Sequence, residues 1–215
     1  MSEYFHILFF TFASLFSITN PIGIASVFLA MTEHQPLDKQ HQIARRVAIY
    51  SFILLVATFF AGTYVLDFFG ISLSSVQIAG GILVFFTAWG MFDIKPKLSS
   101  EEKKEAFNKE VDFSFFPLTM PLTAGAGAMA VTIALASHLK DDGRFNLLGV
   151  FSVLLAIVLV CLTVWVCYRF AGNLFKFLGH TGSNVITRLT AFILLAIAVT
   201  MIGDGLTGFI KPLLH

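Results

Sequence analysis

The sequence predicts an all-α, polytopic membrane protein of six transmembrane helices, arranged as two inverted three-helix repeats in which helices 1 and 4 are broken. Three observations predict this fold: an apolar composition, six hydrophobic runs of membrane-spanning length, and a proline motif that occurs twice. Hydrophobic residues make up 57% of the 215 residues and charged residues only 13%, whereas a soluble domain carries about 25% charged residues. Lipid must therefore solvate much of the protein surface.

The six hydrophobic runs lie near residues 5–31, 46–66, 71–92, 114–137, 146–170 and 185–210. A bilayer core requires about 20 apolar residues per helix, and only helices or closed barrels satisfy their backbone in lipid. Because these runs do not alternate polar and apolar residues, they are predicted to be helices rather than barrel strands. The first run is too long for a cleavable signal peptide and should remain as the first span.

Lysine and arginine residues fall mainly in the loops after spans 1, 3 and 5, with eleven there and three on the other side. Cytoplasmic loops of membrane proteins carry such an excess. The bias predicts that loops 33–46, 93–112 and 169–187 are cytoplasmic and that both termini face outward.

An internal repeat is visible in two pairs of segments. Phe16-Ser17-Ile18-Thr19-Asn20-Pro21-Ile22 recurs as Phe116-Pro117-Leu118-Thr119-Met120-Pro121-Leu122, and the segment 77–93 aligns with 188–204. Two matches in the same order predict a duplication into residues 1–93 and 113–215, joined by a charged linker at 94–112. Each half has three spans, an odd number, so the halves are inverted, as in many secondary transporters.

The repeated motif also predicts where a small solute would bind. Pro21 lies near the middle of span 1, lacks an N–H and clashes with the Ser17 carbonyl, so the helix must kink or break. Backbone broken at that depth is tolerated only inside protein or beside a wet cavity. Freed N–H groups suit a carboxylate and freed carbonyls an ammonium group. The predicted substrate-binding residues are Thr19, Asn20, Pro21, Gly23, Thr119, Pro121, Thr123, Gly125 and Gly127. The alternative is that these prolines and glycines serve helix packing alone.

Three further polar residues near the ends of spans are candidates for coupling or gating. Asp204 lies six residues before the end of span 6, and acids within a membrane are candidates for proton coupling. Arg188 and Gln77 begin spans 6 and 3. For all three, placement at the membrane interface is the alternative interpretation.

Several motifs resemble those of the MarC family of bacterial inner-membrane proteins. They are Asn20-Pro21-Ile22-Gly23, the run from Phe116 to Ala128, Gln77 to Leu83, and Asn184 to Arg188. The resemblance covers nearly the whole chain. It implies a six-span, multi-pass protein of the bacterial inner membrane with an outward, periplasmic N-terminus, and transport of small neutral amino acids such as glycine and alanine. Two departures stand out: Ala126 replaces the proline of the family's Ala-Gly-Pro-Gly, and Ala191 occupies a position where relatives often have glycine.

Other classes of function are less well supported by the residues. No protease or hydrolase motif occurs, and Asp93 and Asp204 are expected on opposite sides of the membrane, where they cannot form a catalytic pair, so the chain is predicted not to be an enzyme. A passive channel or a non-transporting membrane protein remains the alternative to a carrier. The predicted partners are a small solute and the lipid bilayer. No cofactor and no metal site are predicted, although a coupling proton or sodium ion stays open, and the net charge of +1 gives no indication of nucleic acid. Whether the chain forms a homo-oligomer stays open too.

Overall fold

The computed structural model describes residues 2–92, 113–141, 144–145 and 147–210. The predicted linker 94–112 and Asp93 therefore lie outside the described residues. Within the described part, the chain is helical apart from short connections and two antiparallel strands of two residues each, β1 (Lys140–Asp141) and β2 (Arg144–Phe145).

The first half consists of four helices that make three spans. Helices α1 (Ser2–Thr19) and α2 (Pro21–Thr32) flank Asn20 and together form one apolar span of 29 residues. Helix α3 runs from Leu37 to Phe69, and α4 runs from Leu73 to Phe92.

The second half begins with a sharply bent pair. Segment α5 (Ser114–Thr123) has π-helical hydrogen bonding and meets α6 (Ala126–His138) at an angle of 61°. Helices α7 (Leu147–Arg169) and α8 (Ala171–Ile210) follow. Five helices are long and apolar enough to cross a membrane, and the bent pair meets the same criteria when its two pieces are taken together as one span. The predicted all-α polytopic fold is confirmed.

Two of the predicted loop boundaries are wrong. The 33–46 loop is helical from Leu37 onward, because α3 begins nine residues before the predicted span 46–66. The 169–187 loop is helical from Ala171, because α8 extends for 40 residues. In both places a helix continues with polar residues beyond its apolar run, and a hydropathy pattern measures the apolar run rather than the helix.

The extensive helix contacts in the described part join one half of the chain to the other. Span 1 of the first half packs on α7 of the second, and the exchanged contact joins α3 to α5 and α6. In the same way, α2 packs on α8, and the exchanged contact joins α4 to α6. The third spans of the two halves, α4 and α8, share the largest contact. Each contact thus recurs with the halves exchanged, which is the pattern expected around a two-fold axis.

The buried residues form two clusters, and each draws on both halves. One joins Leu15 and Phe59 to Val153 and Ile157, and the other joins Phe28 to Tyr168. The outer surface is instead rich in exposed phenylalanine, with Phe9 at 72% and Phe86 at 67% exposure. An apolar exterior on this scale is expected of a protein whose solvent is lipid.

Glycines allow α4 and α8 to approach each other closely. A Cβ added at Gly81 would lie 2.9 Å from the Ala198 carbonyl oxygen, and one at Gly205 would lie 2.8 Å from the Ser74 carbonyl oxygen. Small residues at such crossings let backbones pack directly in membranes, where no hydrophobic effect drives helices together.

We predict that Gly81→Ala destabilises the protein by about 1–3 kcal/mol, because a backbone carbonyl cannot move aside and the two helices must separate. Gly90→Ala is the matched control: it lies in the same helix, and its Cβ would meet nothing within 4 Å. Thermal unfolding of the purified protein in detergent measures both variants. Equal melting temperatures for the two would contradict the close approach of α4 and α8.

Candidate functional site

The break in span 1 is centred on Asn20. Its φ of 40° and ψ of 60° place it in the left-handed region, which asparagine tolerates better than most residues. Its side-chain Oδ1 accepts a hydrogen bond from the Gly23 N–H at 3.2 Å, so Asn20 caps α2. Pro21 follows as the first residue of α2, where a helix needs no N–H donor. The predicted break is therefore present and is closed by its own asparagine.

One donor at this break has no partner. The Asn20 Nδ2 is buried, and no hydrogen-bond acceptor for it is found among the described residues. A buried amide without a partner costs free energy of about 1–3 kcal/mol. The carboxamide therefore offers a donor to any ligand that reaches it.

The break in span 4 is larger, because two prolines contribute. Phe116 and Met120, the residues before Pro117 and Pro121, have extended backbones with φ of −123° and −115°. Steric clash with a following proline disfavours helical angles at these positions. Both Xaa-Pro bonds are cis. The chain then leaves α5 through Ala124 and begins α6 at Gly125.

Three threonine hydroxyls that were predicted to bind substrate are bonded to their own helices. Thr19 donates to the Leu15 carbonyl at 2.8 Å, Thr119 to the Ser114 carbonyl at 2.7 Å, and Thr123 to the Leu118 carbonyl at 2.7 Å. All three residues are buried. In this conformation their hydroxyls satisfy carbonyls near the breaks.

Tyr168 of α7 ties the second break to the rest of the protein. Its hydroxyl lies 2.7 Å from the Thr123 hydroxyl, and its ring stacks on Phe28 of α2 with centroids 4.7 Å apart. The Thr123 hydroxyl donates its one proton to the Leu118 carbonyl, because a carbonyl oxygen can only accept. Tyr168 must therefore be the donor to Thr123. One buried side chain thus contacts both broken spans.

A cavity of about 330 Å³ lies beside the span 4 break. This volume is at the small end of the range for ligand pockets. Its walls come from α1, α4, α8 and the two pieces of span 4. The lining residues are Ile18, Leu83, Val84, Phe86, Pro121, Leu122, Thr123, Gly125, Ala126, Gly127, Ala128 and Leu194. Of the nine predicted binding residues, the cavity brings together Pro121, Thr123, Gly125 and Gly127. The other five, Thr19, Asn20, Pro21, Gly23 and Thr119, do not line it.

The polar feature of this mainly apolar cavity is the N-terminus of α6. The first hydrogen bond of α6 runs from the Met129 N–H to the Gly125 carbonyl at 3.1 Å. The N–H groups of Ala126, Gly127 and Ala128 therefore have no acceptor within the helix, and no side chain caps it. All three residues line the cavity. Such a terminus carries a partial positive charge and binds anionic groups.

Two glycines are required by close approach at this break. A Cβ on Gly125 would collide with the Pro121 carbonyl oxygen. A Cβ on Gly127 would collide with Val84 and would lie 2.9 Å from the Ile18 Cδ1. The sequence therefore places glycine where the α6 backbone meets the neighbouring walls.

The three coupling or gating candidates lie away from the cavity walls. Asp204 and Arg188 are exposed, and Gln77 is half-buried near the start of α4. These positions fit the alternative interpretation, in which the residues lie toward the membrane interface.

The apolar walls of the cavity were not predicted from the sequence. Ile18, Leu83, Val84, Phe86 and Leu194 are ordinary apolar residues within hydrophobic runs, and no local pattern distinguishes them. The one available signal was at Ala126 and Ala128, which flank the predicted Gly127 in a stretch of small residues.

Comparison with known proteins gives a consistent result over almost the entire chain. A family model described as "MarC family integral membrane protein" matches residues 5–210. A "UPF0056 membrane protein" of Buchnera aphidicola (subsp. Schizaphis graminum) is 34% identical over 204 residues, covering 95% of this chain and 93% of the relative. YvbG of Bacillus subtilis is 33% identical over 213 residues (97% and 98% covered), and YhcE of Escherichia coli is 34% identical over 214 residues (98% and 97% covered). No solved structure matches.

We predict that Tyr168→Phe lowers the free energy of unfolding by about 1 kcal/mol and that Thr123→Val lowers it by about 1–3 kcal/mol. The second change is worse because it removes the hydroxyl that bonds both the Tyr168 hydroxyl and the Leu118 carbonyl. Thr123→Val should cost less in the Tyr168→Phe background, since the two groups interact. Thermal unfolding of the four proteins measures the coupling. Additive effects would show that the hydrogen bond between the two hydroxyls does not form.

The control for this cycle is Thr200→Val. The Thr200 hydroxyl also donates to a carbonyl of its own helix, Ala196 at 3.0 Å, but it lies on an exposed face. Its loss should leave the melting temperature nearly unchanged.

Proposed function

This chain belongs to the MarC family of integral membrane proteins, and from that membership we propose that it is a secondary transporter of small neutral solutes. The proposed substrates are small neutral amino acids such as glycine and alanine. In this proposal the chain lies in a bacterial inner membrane with both termini periplasmic, as the charge bias of its loops predicts.

The observation that carries the proposal is an uncapped helix N-terminus that lines a small cavity near the middle of a span. The N–H groups of Ala126, Gly127 and Ala128 suit a substrate carboxylate, because three donors and the helix dipole act together. The cavity volume of about 330 Å³ favours a small molecule. Discontinuous helices that present their N-termini to an anionic group are the usual binding device of transporters built from inverted repeats.

The other end of a zwitterion needs acceptors, and the break in span 1 supplies one. Pro21 lacks an N–H, so the Ser17 carbonyl loses its helical donor. This carbonyl and the unpaired Asn20 Nδ2 do not line the cavity in this conformation, so in the proposed cycle they would meet the substrate in another state. The apolar side chains Leu83, Val84 and Leu194 then limit the size of the substrate side chain.

The reciprocal contacts between the halves support alternating access as the mechanism. Each half contributes one broken span, and exchange of conformations between the halves would open the cavity to one side and then to the other. A passive channel would need no such exchange.

The proposal is tested with purified protein in liposomes and radiolabelled glycine or alanine, with and without imposed proton and sodium gradients. We expect saturable uptake that unlabelled internal substrate accelerates, because a carrier exchanges its cargo. Glycine should compete with the label, whereas glycinamide should compete at least about tenfold less well, because it lacks the carboxylate that the α6 N–H groups bind. Flux that is linear in concentration would identify a channel, and equal competition by the amide would exclude the α6 N-terminus as the carboxylate site.

A charge placed at the start of α6 tests the site itself. We predict that Ala126→Asp reduces uptake by more than about tenfold, because like charges at close range repel by several kcal/mol. Ala126→Asn is the matched control: it adds nearly the same volume without charge and should retain substantially more uptake. If both variants lose transport equally while remaining folded, steric blockage and not charge explains the loss, and the carboxylate assignment is wrong.

A further inference from the structure

A second cavity lies on the outer surface of the protein, between α3 and α7. It measures about 410 Å³ and is separate from the cavity at the breaks. The two helices contribute to it with the same spacing, i, i+3, i+4 and i+7. The lining residues are Arg45, Ala48, Ile49 and Phe52 of α3 and Val158, Cys161, Leu162 and Trp165 of α7. We call it the α3–α7 groove.

The groove has a polar end and an apolar end. The N-terminal part of α3 packs with the C-terminal part of α7, since Ala44 and Val47 share a buried cluster with Val164 and Tyr168. The helices are therefore antiparallel, and Arg45 and Trp165 lie at the same end. Over the seven-residue spacing the groove is about 10 Å long, roughly a third of a bilayer's hydrocarbon thickness.

Two arginines lie toward the polar end. Arg45 is exposed, and the groove wall itself is apolar, so Arg45 lines it with its aliphatic stem and keeps its charged group at the rim. The guanidinium of Arg169 lies over the Trp165 ring, 5.6 Å from its centroid. Neither arginine forms a salt bridge with a carboxylate in the described part of the chain.

We propose that the α3–α7 groove is a binding site for an anionic phospholipid, with one acyl chain along the apolar wall and the phosphate held by Arg45 and Arg169. Charge complementarity selects this occupant. A second copy of the chain would bring its own arginines against these, and a free phosphate would leave the apolar wall unused. Tryptophan and arginine together at one depth are typical of the headgroup region of a membrane.

A general affinity of arginines for the membrane surface does not account for the arrangement. A snorkelling arginine is satisfied by any headgroup and requires no cavity. Here Trp165 lines a preformed groove and also positions the second guanidinium beside it. The site is therefore shaped for both parts of one molecule, its charged head and its chain.

The experiment uses the purified full-length protein in a neutral detergent and titrates phosphatidylglycerol or phosphatidylcholine with identical acyl chains. We expect phosphatidylglycerol to raise the melting temperature saturably and phosphatidylcholine to have little effect. Arg45→Gln combined with Arg169→Gln should raise the lipid fraction needed for half-saturation by about thirtyfold, since each arginine near an anionic lipid contributes about 1 kcal/mol. Native mass spectrometry counts the retained lipid directly.

Lys39→Gln is the matched control, because Lys39 is an exposed cation near the start of the same helix that does not line the groove. It should bind phosphatidylglycerol like the unaltered protein. Equal stabilisation by phosphatidylcholine, normal binding by the double variant, or an equal loss in Lys39→Gln would each overturn the proposal. So would equal protection by inorganic phosphate, since that would indicate a simple anion site.

Discussion

The requirement that every backbone polar group be satisfied inside an apolar layer governs this structure. Most of the chain meets it with continuous helices. At the two breaks some helical bonds fail, and buried threonine hydroxyls nearby donate back to carbonyls of their own segments, Thr19 to Leu15 and Thr119 to Ser114. The Thr123 hydroxyl likewise donates to the Leu118 carbonyl, and its oxygen accepts a hydrogen bond from the Tyr168 hydroxyl. The breaks are therefore stabilised features of the fold and not frayed ends.

The same motif has different outcomes in the two halves, and the residues at positions 20 and 120 account for part of the difference. Asn20 ends α1 and caps α2 with its own Oδ1, so the N-terminus of that helix is occupied. At the matching position stands Met120, which has no capping oxygen, and α6 begins five residues later at Gly125 without a side-chain cap. The two occurrences of the motif thus give one closed helix start and one open one. The open one lines the cavity.

Sequence patterns predicted the spans and the two breaks because hydropathy and proline act locally. They did not predict that α3 starts at Leu37 or that α8 starts at Ala171, because polar residues can continue a helix outside the apolar layer. Gly125 and Gly127 were predicted in the site and line the cavity. The orientation of the threonine hydroxyls could not be predicted, because it depends on which carbonyls are in reach at the breaks. Walls such as Val84 and Leu194 are set by packing between halves, which no local pattern encodes.

The contacts around the cavity also indicate which element can move. At Gly81 and Gly205 the neighbouring atoms include backbone carbonyls, so α4 and α8 cannot shift past each other without breaking contacts between main chains. At Gly127 the neighbours are the side-chain ends of Val84 and Ile18, which can rotate. The α4–α8 pair is therefore the rigid frame of the cavity. The start of α6 also approaches this frame through its main chain, since a Cβ on Gly80 would lie 3.3 Å from the Ala126 carbonyl oxygen. In the proposed carrier, movement of the broken span against the frame would therefore cost rotamer changes near Gly127 together with this one main-chain contact.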